Sequence, residues 1–196
     1  MAISYPITTP TGNAIRSVTF TATNAVAYSR SPFTFEGQSH AYAGEMWSAD
    51  ISLKPMAEDD AEAWSAWLTS LRGRHGKFYL GNPFRNSLRS SAAPSSVTIT
   101  GSAGARSVTV VMTGTLLAGD YFQLGTGASS RLYKVLADQT DGGTLEIWPA
   151  LRDAASTSAA VISSPVGTFR LASNDVSWNV NNLRHYGISF GAMEAI

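Results

Sequence analysis

The chain contains no cysteine. This excludes a disulfide framework, cysteine-based metal sites and thiol nucleophiles, and it leaves the redox compartment open. Charge is also scarce: Asp, Glu, Lys and Arg make up 14% of the 196 residues, against about 25% in an ordinary soluble domain. The two signs cancel, 14 basic against 14 acidic residues, so the formal net charge is zero. Without a basic excess little is available to neutralise phosphates, which argues against nucleic-acid binding. Without net charge a free monomer also lacks electrostatic protection against association. No apolar run approaches the roughly 20 residues that span a bilayer. The opening MAISYPITTPTG has neither the basic nor the apolar region of a secretory signal. The expectation is a protein made and assembled in the cytoplasm, without membrane insertion.

What is present is a β pattern. Hydrophobic residues reach 44%, enough for a globular core, while Ser, Thr, Gly and Ala fill much of the rest. Ile15 to Thr23 alternates, with Ile15, Ser17, Thr19 and Thr21 on one side and Arg16, Val18, Phe20 and Ala22 on the other. Val26 to Ser31 continues the strand, and Ser31-Pro32 marks its end. Phe33 to Phe35 and Gln38 to Tyr42 flank Glu36-Gly37, which has the composition of a tight hairpin turn. From Glu45 to Leu53 the core-facing set is Trp47, Ala49, Ile51 and Leu53. One helix is expected, over residues 57–72. Glu58, Asp59 and Asp60 suit its positive N-terminal end, and Trp64, Trp67, Leu68 and Leu71 form the apolar stripe of its core face. Gly73 is the natural C-cap, with Arg72 and Arg74 beside the negative end of the dipole.

Lys77 to Leu80 resumes as a strand, closed by Gly81-Asn82-Pro83. Residues 86–96 are rich in Ser, Ala and Asn and read as a linker. Short strands follow at Val97–Thr100, Ser107–Met112, Tyr121–Leu124, Leu132–Leu136 and Leu145–Trp148, separated by glycine-rich turns, the pattern of a small barrel or sandwich. The Ala- and Ser-rich stretch from Asp153 to Ser164 is low in complexity and ends at Pro165. Thr168–Ala172, Val176–Val180 and Tyr186–Met193 are the closing strand candidates. So late a strand needs a partner from earlier in the chain. The expected organisation is therefore a discontinuous domain, 1–90 plus 166–196, interrupted by an inserted β domain at 95–165. The chain has no convincing internal repeat.

Sites of chemistry are poorly nominated. His40, His75 and His185 fall in no HExxH or HxxxH spacing, so zinc has no local support. Consecutive acidic residues such as Glu58 to Asp60 point around a helix rather than converging on a metal. Gly125-Thr126-Gly127 and Gly142-Gly143 lack phosphate-loop context and read as turns. No GxSxG elbow is present. Glu146 has no nominated carboxylate partner for glycoside hydrolysis. Trp47, Trp148 and Trp178 could line a sugar platform, although core packing is the default reading for most of the tryptophans. The chain is expected to be neither an enzyme nor a cofactor binder.

Several segments together resemble the distal tail and tail-tip proteins of tailed phages: AEAWSAWLTSLRGRHGKFYLGNPF (61–84), LLAGDYFQLG (116–125), RLYKVLAD (131–138), TLEIWPALR (144–152) and GTFRLASNDVSWNVNNLRHYGISFGAMEA (167–195). The resemblance implies a mainly β, split-barrel belt domain with one helix, of which six copies form a ring continuing the tail tube. The inserted barrel or sandwich would project outward. The implied partners are further copies of the chain, the tail tube protein, the baseplate hub protein and the tape-measure protein, all within a virion. The family supplies no catalytic residue. The competing expectations are another tail component (tube, terminator or hub subunit) and a host-glycan-binding adsorption module.

Overall fold

A computed structural model of the chain describes residues 3–10, 14–181 and 185–196. Parts of the N-terminal stretch and residues 182–184 of the closing motif lie outside the described residues. In chain order the elements are β1 (Ile15–Arg30), β2 (Gly37–Leu53), α1 (Glu58–Ser70), β3 (Phe78–Gly81), β4 (Val97–Gly101), β5 (Ser107–Val111), β6 (Thr115–Leu116), β7 (Tyr121–Leu124), β8 (Arg131–Val135), β9 (Gln139–Thr140), β10 (Gly143–Trp148), β11 (Ala155–Ala160), β12 (Val166–Leu171), β13 (Trp178–Val180) and β14 (Tyr186–Glu194). The protein is mainly β with one α-helix among the described residues.

The first sheet runs β1-β2-β14-β12-β3, with β13 attached to the start of β14. The last strand thus lies between the second and the twelfth, and every named pairing is antiparallel. Its core face is set by the period-two pattern of β2: Trp47, Ala49, Ile51 and Leu53 are all buried, while the intervening residues are not. β1 keeps strict alternation only beyond a register shift between Ile15 and Ser17. That bulge changes the phase, so Ile15 joins Val18 and Phe20 on the core rather than Ser17 and Thr19. Against this face lies α1, where Trp64, Trp67 and Leu68 are buried and Leu71, one residue past the last helical one, is fully so. Trp67 meets the Phe78 ring edge-on at 5.1 Å and donates its indole N–H to the Thr8 carbonyl at 2.8 Å.

The end of the helix differs from expectation. The left-handed position is taken by Arg72 (φ 50°), and Gly73 (φ 67°) follows in the same region, opening a short 3-10 turn, Gly73–His75. Glycine is required at 73 for a second reason, since a Cβ there would stand 2.9 Å from the Asn174 Cα. Arg74 does not serve the helix dipole; its guanidinium donates to the Ala172 carbonyl at 2.8 Å.

The second sheet runs β11-β4-β5-β10-β8-β7. A bridge between Gln123 of β7 and Val161, just after β11, joins its ends through two 2.9 Å backbone hydrogen bonds, which makes it barrel-like. Side chains fill the interior, among them Ile99, Val110, Leu116, Phe122, Tyr133 and Ile147. The stretch from Asp153 to Ser164 therefore holds a strand that its composition does not announce. β11 pairs with β4 through the backbone, which needs no large side chain. Residues 86–96 form no strand or helix, yet they are tied down: Arg89 binds the buried Asp120 through its backbone N–H at 3.2 Å and its guanidinium at 3.4 Å.

Candidate functional site

The two sheets meet along a polar and aromatic seam. Glu45 stands one alternation before Trp47 on the core face of β2 and is only 6% exposed. Its carboxylate accepts from the Arg106 guanidinium at 2.8 Å and from the Ala150 backbone N–H at 2.5 Å. Glu194, at the end of β14 and 5% exposed, takes the Arg152 guanidinium at 2.6 Å and the Trp47 backbone N–H at 3.2 Å. Arg152 also donates to the Glu45 carbonyl at 2.7 Å. One guanidinium from the barrel thus holds two strands of the first sheet, and each buried charge has an opposite partner, as low-dielectric surroundings demand. The phenol of Tyr133 accepts the Arg152 backbone N–H at 3.0 Å. Burial raises the pKa of that phenol, against the lowering effect of this hydrogen bond.

Two carboxylates near one another in a partly buried seam are what a hydrolase would use. Here both are engaged by guanidinium and backbone donors, which suits fastening better than proton transfer. The sequence holds a usable signal for Glu45, an acidic residue in phase with the core face of its own strand. Glu194 carries the same mark, in phase with Tyr186, Ile188 and Ala192 of β14, whereas Arg106 and Arg152 do not.

Beside the seam lies an aromatic group. Trp47 contacts Trp148 edge-on at 4.3 Å, with Phe20 and Tyr121 nearby, and it donates its indole N–H to the Leu132 carbonyl at 3.0 Å. Trp148 donates to the Asn24 side chain at 2.7 Å. Both rings are occupied by packing rather than presented as a sugar platform. Trp178 differs: it is 42% exposed beside an open groove that Arg16 and Asn179 also line.

The other residues considered from sequence stay apart. His40 packs edge-on to Tyr42 at 4.8 Å, His75 meets Tyr5 at 6.0 Å, and the His185 backbone N–H donates to Asn181. Among the described residues there is no group of three or more His, Cys, Asp or Glu able to hold a metal. Glu58, Asp59 and Asp60 occupy the first turn of α1. Gly125 and Gly127 flank a turn, Gly142 and Gly143 another, all at positive φ. Glu146 is exposed on β10.

The longest fully exposed stretch of sheet is the outer half of the β1–β2 hairpin. A register shift between Asn24 and Val26 sets Ala25 against residues 42–44, and beyond it the ladder continues from Val26↔Ala41 to Arg30↔Gly37. Every residue of this arm on both strands is exposed, including Val26, Tyr28 and Tyr42. The tip is not the tight Glu36-Gly37 turn, and Phe33 to Phe35 form no strand. The loop spans residues 31–36: Ser31 donates its N–H to the Glu36 carbonyl at 2.9 Å, and its hydroxyl accepts from Phe33 and Thr34. Phe35 adopts φ 61° with the Arg30 guanidinium 4.7 Å above its ring, and Phe33 is 90% exposed. Tyr28 folds over Gly37, where a Cβ would stand 2.5 Å from the phenol oxygen and would turn that exposed side chain aside. No helix of the described residues is long and apolar enough to cross a membrane. In comparisons with known proteins, no protein-family model matches the chain and no curated protein matches it significantly.

Proposed function

We propose that the chain is a structural, non-enzymatic subunit of a tailed-phage tail tip, the distal tail ring that joins the tail tube to the baseplate hub. The observation that carries this reading is the arm. It extends an edge strand of the first sheet that holds neither a charge nor a proline from Ser17 to Ser29, and it bears large apolar side chains, with Arg30, Pro32 and Glu36 confined to its tip. Proteins that remain single blunt such edges with charges, prolines or covering loops, because an open row of backbone donors and acceptors recruits another chain. A cyclic array supplies that neighbour to every copy through one repeated, heterologous contact. The zero net charge and abundant small residues are compatible with closely apposed surfaces. In this reading residues 1–90 and 166–196 make the belt and residues 95–165 project from it. The partners are further copies, the tube, hub and tape-measure proteins, and the protein resides in the virion without a cofactor.

Electron microscopy and native mass measurement of the purified chain test the proposal. A closed ring of six is expected. Three copies would favour a hub, and open stacks a tube subunit; a chain that stays monomeric at every concentration and is absent from particles overturns the reading. A glycan-binding adsorption module is the second reading, favoured by the exposed Trp178. Glycan binding that disappears in Trp178→Ala, in a protein that forms no ring, would establish it instead.

A further inference from the structure

In the seam every carboxylate oxygen of Glu45 and Glu194 accepts a hydrogen bond, while both arginines keep nitrogens to spare. Arg106 donates from Nε to Glu45 Oε1 at 2.8 Å, and among the described residues neither of its terminal nitrogens has an acceptor. Its side chain is 53% exposed, against 4% for Glu45, so the pair is anchored from behind and open in front. Arg152, mostly buried, commits Nε and one terminal nitrogen to Glu194 and to the Glu45 carbonyl, and its other terminal nitrogen to nothing. Both arginines line one cleft of about 380 Å³, between residues 41–43 at the base of the arm and residues 150–152 of the barrel. Tyr42 lines it too, exposed and with no hydrogen-bond partner for its hydroxyl among the described residues. Gly104 adds a wall without a side chain, where a Cβ would meet nothing within 4 Å. Among the described residues no carboxylate lines the cleft.

We infer that this cleft is a binding site for a carboxylate, gripped by the free end of the Arg106 guanidinium. A guanidinium held through Nε keeps its two terminal nitrogens side by side, and that edge matches the two oxygens of a carboxylate. Glu45 is a positioning residue: it fixes Arg106 without itself lining the cleft. Tyr42 offers a further O–H donor on the same wall as Ala41 and Ala43. Charge narrows the ligand class. The carboxylates of Glu45 and Glu194 balance the two guanidinium groups, so the cleft has donors to spare but little net potential. Such a site selects by the geometry of the fork and suits a single carboxylate rather than a polyanion. An acidic sugar and an acidic protein side chain both present that group. The cleft shares no residue with the groove beside Trp178, and the site stands whether or not the chain forms a ring.

Titration of the native chain with sodium acetate, followed by NMR at the Arg106 Nε–H and the Gly104 backbone N–H, tests the site. Saturable shifts are expected at both, with a Kd of about 1–10 mM for so small a ligand. Sodium chloride at equal ionic strength and glucose should produce neither. Arg106→Lys keeps a charge beside Glu45 but loses the fork, and should weaken acetate binding about tenfold. Tyr42→Phe, at an exposed position, should weaken it about threefold, and it carries the test if the lysine variant does not fold. Sodium glucuronate or an acetylated triglutamate peptide, binding about tenfold tighter than acetate with the same dependence on Arg106, would name the source as sugar or protein. Equal shifts with chloride and acetate, or acetate binding unchanged in both variants, would mean a solvated arginine only and overturn the inference.

Discussion

The two halves of the β1–β2 hairpin share one ladder and differ in what lies behind it. Along β2, residues 45–53 alternate between buried and partly or fully exposed, whereas residues 37–44 are exposed throughout. The inner half is backed by β14, by α1 and by the barrel's charged seam. The outer half is exposed throughout and only its base, Ala41 to Ala43, borders the barrel beside Arg106 and Arg152, yet it keeps the same antiparallel register and the same mixture of aromatic and small residues. Backbone pairing and burial are therefore separable properties. A two-stranded ribbon is marginal alone, and this one persists as the extension of a larger sheet. The inner half contributes stability, and the outer half is exposed on both strands.

The strongest way to break this contrast is to remove the fastening of the inner half. Arg152→Ala leaves Glu194 buried without its partner and should cost about 3–5 kcal/mol, measured by urea unfolding. A loss below about 1 kcal/mol would mean that the seam does not hold the stem.

A smaller and more selective probe is Tyr133→Phe, which removes the acceptor of the Arg152 backbone N–H and should cost about 1 kcal/mol at neutral pH. The phenol's folded-state pKa lies above its unfolded value near 10. Its neutral form therefore stabilises the fold fully below about pH 10, and that contribution is lost as pH rises through the folded pKa. The deficit of the variant should accordingly narrow above about pH 10. An equal deficit at neutral and alkaline pH would refute the buried, protonated phenol.

The smallest effect is expected in the arm. Val26→Thr and Tyr42→Thr should each change unfolding free energy by no more than about 0.5 kcal/mol, as exposed positions do. In the same variants self-association, followed by sedimentation, should weaken. A variant that lost stability but assembled normally would reverse the roles assigned to the two halves.

Much of the inner half was legible from local pattern. The alternation of Trp47 to Leu53 and the stripe of Trp64, Trp67, Leu68 and Leu71 name core faces because side-chain direction repeats with the backbone period. Where the pattern misled, a non-local event intervened. The bulge after Ile15 inverted the phase of β1, and the Ser31 cap moved the hairpin turn from Glu36-Gly37 to residues 31–36. β11 was hidden because Ala and Ser announce no strand, although their backbone groups pair as well as any others.

The sequence by itself determined that this is a weakly charged, cysteine-free β protein with one tryptophan-bearing helix, since composition and periodicity are properties of the chain alone. Only the tertiary structure decided that Glu45, Arg106, Arg152 and Glu194 converge, that the second sheet joins end to end, and that half of a long hairpin leaves the body uncovered. Those outcomes depend on which distant segments meet, and a side chain's neighbours across a fold leave no trace in the residues beside it.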